Sequence, residues 1–196
     1  MSRTLPEPVA AARSFAVEAH GDQKYGSYPY VHHLDAVDDL LCVAGYGDQH
    51  KLRQVGFLHD VIEDTEATTD SLRAAGFPAD VVDAVAFCSD EEGPNRKTRK
   101  RLTYHRMSGQ REKLEASPYD SAHVFIRLGI IAKVVDRLTN IAASQDPNKH
   151  DLLDMYWKER EDFRAALFSP GLCDALWVEY DKLLAQRPPK PRRRGR

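Results

Sequence analysis

Three short stretches of the chain combine imidazole and carboxylate side chains at spacings that can do chemistry. Pro29-Tyr30-Val31-His32-His33 offers two adjacent histidines, and Leu58-His59-Asp60-Val61-Ile62-Glu63-Asp64 offers one histidine and three acids. Lys133-Val134-Val135-Asp136-Arg137-Leu138-Thr139-Asn140 sets an aspartate inside an apolar run. On a helix His59 would stand one turn from Glu63, and Asp60 one turn from Asp64, making two adjoining polar columns. Leu52, Val55, Phe57, Leu58 and Ile62 fill much of the remaining circumference. Acids and a histidine beside an apolar face are costly unless something compensates them, and a cation is the direct compensator. Asp136 repeats the situation between Ile131 and Leu138, on one side with Lys133 and Asn140. A solvated helix end at Glu63-Asp64-Thr65-Glu66 accounts for the same acids, so the residues alone leave both readings open.

The elements that must carry these groups read as helices. Val124, Leu128, Ile131, Val135, Leu138 and Ala142 recur at three- and four-residue steps, which predicts a core-facing stripe on a helix from Ser121 to Ala143. Further helices are expected at Glu7–His20, His33–Ala44, His50–Ile62, Thr69–Ala75, Pro78–Cys88, Arg99–Ala116, Lys149–Phe168 and Leu172–Ala185. Thr69 and Ser117 suit N-caps, and Pro78 suits a first turn. Gly45-Tyr46-Gly47, Gly76-Phe77-Pro78, Glu92-Gly93-Pro94-Asn95 and Ser169-Pro170-Gly171 punctuate the pattern. Glu91–Arg106, with its RKTRKR run, is expected as a charged loop leading into a helix. Strand-like alternation and internal repeats are absent. The fold class is therefore all-α, a single bundle of about eight or nine helices.

Composition narrows the function classes. A length of 196 residues suits one domain, with 42% hydrophobic and 30% charged residues in a globular mixture. No run approaches the roughly 18 apolar residues of a membrane span, and MSRTLPEPVAAARSF does not read as a secretory signal. Cys42, Cys88 and Cys173 are odd in number and far apart, as expected of reduced thiols in a cytoplasmic protein. Residues 187–196 hold six of the 28 Lys and Arg and none of the 30 Asp and Glu. The formal net charge of −2 thus hides a body near about −8, a sign that disfavours nucleic acid as a partner. The tail itself reads as disordered and solubilising, with nucleic-acid contact as the alternative.

Taken in order, the motifs resemble the HD superfamily of metal-dependent phosphohydrolases, and within it the RelA/SpoT-type domain that hydrolyses (p)ppGpp, including its small stand-alone versions. That pattern runs H-x-x-Q, P-Y-x-x-H, L-H-D-x-x-E-D-T and K-x-x-D-R-x-x-N. It is met here by His20-Gly-Asp-Gln23, Pro29-Tyr30-Val-His-His33, Leu58-His59-Asp60-Val-Ile-Glu63-Asp64-Thr65 and Lys133-Val-Val-Asp136-Arg137-Leu-Thr-Asn140. The resemblance extends from Phe15 to about Phe168.

The resemblance implies one HD phosphohydrolase domain over residues 1–186, followed by a disordered basic tail at 187–196. Little of the chain remains for an alarmone synthetase domain. It implies one divalent cation, Mn²⁺, on His33, His59, Asp60 and Asp136, a donor set that fits an octahedral site better than a thiolate zinc site. His32 falls outside the P-Y-x-x-H spacing. His20 and Gln23 are expected to hold the loop that delivers His33. Glu63 and Asp64 are then the reactive acids, orienting water and moving its proton. The implied reaction is hydrolysis of the 3′-pyrophosphate of a nucleotide alarmone, releasing pyrophosphate. A nucleotidase of nucleoside monophosphates and a non-catalytic nucleotide-binding module are the alternatives.

Asn140 and Tyr156 match positions that meet the substrate in that family. Arg96, Lys97, Arg99, Lys100 and Arg101 could take phosphate oxygens or form a solvated charged segment. Two departures concern the base. The usual Arg-Lys pair after H-x-x-Q is replaced by Lys24 and Tyr25, and Ile141-Ala142-Ala143-Ser144 follows Asn140 where a polar or basic residue and a threonine are common. Guanine specificity is therefore not implied, and an adenine alarmone or another nucleotide stands as an alternative substrate.

Overall fold

A computed structural model describes residues 4–145 and 150–186. The expected tail at 187–196 lies outside these residues, as does the start of the helix expected from Lys149. Among the described residues are ten α-helical segments: α1 (Glu7–His20), α2 (Val31–Leu41), α3 (His50–Leu58), α4 (Val61–Asp64), α5 (Thr69–Ala74), α6 (Ala79–Cys88), α7 (Arg96–Ala116), α8 (Val124–Ala143), α9 (His150–Leu167) and α10 (Asp174–Ala185). The all-α class stands. None of these helices is long and apolar enough to cross a membrane.

The expected single stripe on α8 is too narrow a reading. Helices α2, α3, α6, α7, α9 and α10 all pack on α8. It is buried almost continuously from Leu128 to Leu138, including Lys133, Asp136 and Arg137. An all-round buried helix is what a bundle needs at its centre, and apolar residues on every side supply it. Gly129 lets α6 approach, since a Cβ there would stand 2.4 Å from Cδ1 of Phe87.

Two ion pairs fix the helices that carry the site. Arg53 on α3 donates from Nε to Oδ1 of Asp38 on α2 at 2.7 Å and from Nη2 to Oδ2 at 2.9 Å, both residues being buried. Arg13 on α1 makes the same two-pronged contact with Asp35 on α2, at 2.7 and 2.8 Å. On the far side of α8, Arg137 donates to Glu159 at 3.3 Å and to the Tyr104 hydroxyl at 3.1 Å, and lies over the rings of Tyr156 and Phe163.

The structure corrects several local expectations. The helix expected over His50–Ile62 is broken at His59-Asp60, with Asp60 in the bridge region at φ −107°, ψ −4°. A short antiparallel pair, β1 (Lys24–Tyr25) and β2 (Tyr28–Pro29), turns through Gly26 at φ 62°, a conformation that suits glycine in a two-residue hairpin. Thr68 rather than Thr69 caps α5 in a reciprocal box with Ser71, and Ser117 ends α7 instead of starting the next helix. The basic run is not a loop. Asn95 accepts from the Thr98 N–H at 3.0 Å, and α7 begins at Arg96.

Candidate active site

Three places in the chain converge beside α8. The hairpin leads into α2, whose first turn carries His33; the α3–α4 break carries His59 and Asp60; and α8 carries Asp136. One donor atom from each of these four residues lies within 4.8 Å of every other. His33 Nε2 is 3.2 Å from Asp136 Oδ1 and 3.4 Å from His59 Nε2, and His59 Nε2 is 2.8 Å from Asp60 Oδ2. Donors that share one ion at about 2.0–2.3 Å stand roughly 3 Å apart when adjacent, so these separations fit a divalent cation. The break in the helix is what makes this possible, because a continuous helix would carry Asp60 round the axis away from His59.

The His59 imidazole is prepared for such a role. His59 Nδ1 lies 2.8 Å from the Gly56 carbonyl, which can only accept, so Nδ1 holds the hydrogen and Nε2 faces the cluster. Without a cation the cluster sorts its own charge. Burial works against charge on His59, yet the Asp60 and Asp136 carboxylates override it and hold the imidazole well above its ordinary value. Burial likewise opposes charge on Asp136 and Asp60, but contacts from the two histidines to Asp136, and from His59 to Asp60, hold both carboxyls low. Lys133 is buried with its Nζ 4.0 Å from Asp136 Oδ2, and the surrounding acids keep it charged against the cost of burial. Cys88 is no thiolate donor, since burial pushes its thiol up to about 12.

Tyr30 is a site residue that sequence reasoning passed over. Its hydroxyl donates to Asp60 Oδ2 at 2.5 Å, and burial together with Asp60 keeps the phenol protonated. The signal was present in P-Y-x-x-H, where the tyrosine was read only as spacing. Asn140, one turn beyond Asp136, donates to Asp136 Oδ1 at 2.5 Å and accepts from the Tyr25 hydroxyl at 2.9 Å. Tyr25 in turn stacks on His33 with ring centroids 4.7 Å apart.

Glu63 and Asp64 sit on the single turn α4, one turn past the His59-Asp60 pair and open to solvent. Glu63 Oε2 accepts from the Asp90 N–H at 3.3 Å, and Asp64 Oδ2 accepts from Gln23 Nε2 at 3.1 Å. Displacement of water by the surrounding protein raises the Glu63 carboxyl, while Lys133 opposes that rise. Tyr156 is half-buried beneath the Arg137 guanidinium, and burial, reinforced by the Asp136 charge, pushes its phenol up. His32 lies apart from the cluster, exposed and stacked on Tyr28 at 4.7 Å. Lys24 is also exposed; strand alternation turns it from the face on which Tyr25 meets His33.

One cavity borders the cluster at His33, and a second, larger one is lined by none of the four cluster residues. The first, of 450 Å³, is bounded by Tyr25, His33, Leu40, Leu138 and Ala142 and is largely apolar. The other, of 980 Å³, runs between α7 and α9 and is bordered by Arg96, Lys97, Lys100, Arg101 and Lys158. Lys100 Nζ pairs with Asp90 at 2.7 Å, and the Asp90 N–H meets Glu63, which links one lining residue of the groove to the acids through Asp90.

No protein-family model and no curated protein matches the chain. A solved structure does. It is a metazoan ortholog of SpoT, described as hydrolysing ppGpp and playing a role in starvation responses. The match covers 95% of this chain and 98% of that one at 22% identity, with a TM-score of 0.71. The two chains share a fold. That is the helical architecture the motif order implies, now observed over nearly the whole length of both.

Proposed function

We propose that the protein is a metal-dependent 3′-pyrophosphohydrolase of a nucleotide alarmone, (p)ppGpp or (p)ppApp. The observation that carries this reading is the convergence of His33, His59, Asp60 and Asp136 within 4.8 Å, with two acids one turn beyond. These four residues hold one divalent cation, Mn²⁺ in this reading, which supplies positive charge to a phosphoryl group and makes water a better nucleophile near neutral pH.

The chain's own groups account for the remaining steps. Glu63 and Asp64 orient the attacking water, and a carboxylate takes its proton. The water oxygen bonds to the phosphorus attached to the 3′ oxygen, and the bond to that oxygen breaks. The proton then passes to the 3′ oxygen, leaving pyrophosphate and a nucleoside 5′-di- or triphosphate. Lys133 and the basic groove neutralise phosphate charge, with Arg96, Lys97 and Arg101 as donors. The apolar cavity beside Tyr25 takes the base, and Asn140 and Tyr156 border the sugar. Lys24 serves, at most, from outside the cluster. Residues 1–186 form the catalytic unit, which works on a small molecule in the cytoplasm and needs no nucleic acid.

A substrate screen with Mn²⁺ separates this reading from its rivals. Pyrophosphate released from ppGpp or ppApp supports it, and orthophosphate released from a nucleoside monophosphate supports a nucleotidase. Tight nucleotide binding without either product supports a binding module.

A further inference from the structure

The H-x-x-Q motif reaches farther than the loop it helps to build. His20 closes α1 with its ring stacked on Tyr30, centroids 4.1 Å apart. Its Nδ1 lies 2.7 Å from Gln23 Oε1, and Gln23 Nε2 donates to Asp64 Oδ2 at 3.1 Å across 41 residues of sequence. Each partner dictates the next. A carboxylate only accepts, which turns the Gln23 amide so that its NH₂ faces Asp64. The amide oxygen then faces His20, so the imidazole hydrogen must sit on Nδ1. His20 Nε2 is left buried with no hydrogen-bond partner among the described residues, a place a lone pair fills at lower cost than an N–H.

Asp64 needs such an anchor. It ends a helix of only four residues, beyond which Thr65 is extended, and it is exposed. We propose that Gln23, itself oriented by His20, is a positioning residue that fixes the Asp64 carboxylate through Oδ2 and leaves Oδ1 for the reaction. This rests on the reading of Asp64 as a reactive acid. A neutral amide suits the task, because it sets the angle of a carboxylate without placing a positive charge beside the proton acceptor. The same residue also ties the loop, since the Tyr30 N–H donates to the Gln23 carbonyl at 3.0 Å, but that bond uses the backbone and survives substitution of the side chain.

The test combines kinetics, metal binding and nuclear magnetic resonance on the full chain. Gln23→Ala is expected to lower kcat for pyrophosphate release from ppGpp about 10–100-fold, with KM and Mn²⁺ affinity within about twofold of the parent. In an Asp64→Asn background the same change is expected to add little, because the two residues act as one unit. Loss of Mn²⁺ affinity in Gln23→Ala, or a full additional loss in the Asp64→Asn background, overturns the proposal in favour of a loop-building role. Long-range ¹H–¹⁵N spectra read the same chain without turnover. His20 is expected in the Nδ1–H form, and Gln23→Ala is expected to release it into a mixture. A mixture already present in the parent overturns the proposal. A parent with the locked form and no turnover of either ppGpp or ppApp contradicts the hydrolase reading instead.

Discussion

The Nε2 atoms of His33 and His59 face each other at 3.4 Å, from helices held together by a buried ion pair. Two imidazole nitrogens at that distance, with Asp136 Oδ1 3.2 Å from the first and 3.4 Å from the second, share a centre rather than hydrogen-bond in a chain. A cation bound there is expected to stabilise the folded state. Mn²⁺ at 100 times its Kd should add about 2.7 kcal/mol, read as a rise in Tm. His33→Ala, His59→Ala and Asp136→Ala should abolish both the rise and the calorimetric binding signal. His32→Ala should leave both in place.

Proton competition follows from the same cluster. In the metal-free protein His59 is held above its usual 6.5 by Asp60 and Asp136, against the cost of burial. Its charge therefore stabilises the metal-free fold below pH 6.5, and that contribution is lost as pH rises through the elevated folded value. Metal needs the unprotonated ring, so Mn²⁺ affinity should increase as pH rises over the same window. Calorimetry in buffers of different ionisation enthalpy should find about one proton released per ion bound. Affinity that is flat between pH 6 and pH 9 would show that His59 is not a ligand.

Tyr30→Phe removes one oxygen and nothing else. Asp60 Oδ2 then loses its 2.5 Å donor, and Mn²⁺ affinity should fall about 10–100-fold. The fold should persist, with a loss of about 1–3 kcal/mol in metal-free stability from the lost hydrogen bond to a carboxylate that keeps its His59 contact on that oxygen. Titration calorimetry and denaturant unfolding separate the two effects.

Asp38→Ala tests the brace between α2 and α3. It leaves the Arg53 guanidinium buried without its two-pronged partner, and breaking a buried pair of this kind costs about 3–5 kcal/mol. Denaturant unfolding should show that loss. Restoring the pairing geometry with Asp38→Asn should recover part of it, because the amide oxygen still accepts from Arg53.

The helices were legible because their signals are local. Glu7–His20 ends where its periodicity and Gly21 say it should, and the motif order alone brought His33, His59, Asp60 and Asp136 into one list. What escaped depends on contacts between distant residues. The sequence from His50 to Ile62 carries an unbroken helical pattern, and only the His59 contact to Gly56 and the tertiary cluster force the bend at Asp60. The basic run read as a loop because six charged or polar residues mask periodicity; the Asn95 cap, four positions ahead of the predicted start, was the overlooked signal. Tyr30, Gln23 and Lys133 were visible as letters, but their bonds to Asp60 and Asp64 and the burial of Lys133 cross tens of residues.

The most direct measurement is the product formed from ppGpp by the Mn²⁺-loaded protein and by the Glu63→Gln/Asp64→Asn variant, resolved by ion chromatography. The parent should give pyrophosphate and GDP in equal amounts, ceasing on chelation. The variant should bind Mn²⁺ as before and turn over at least about 100-fold more slowly. Intact ppGpp and intact ppApp after incubation with folded, metal-loaded parent protein, or equal turnover by the variant, would contradict the assignment.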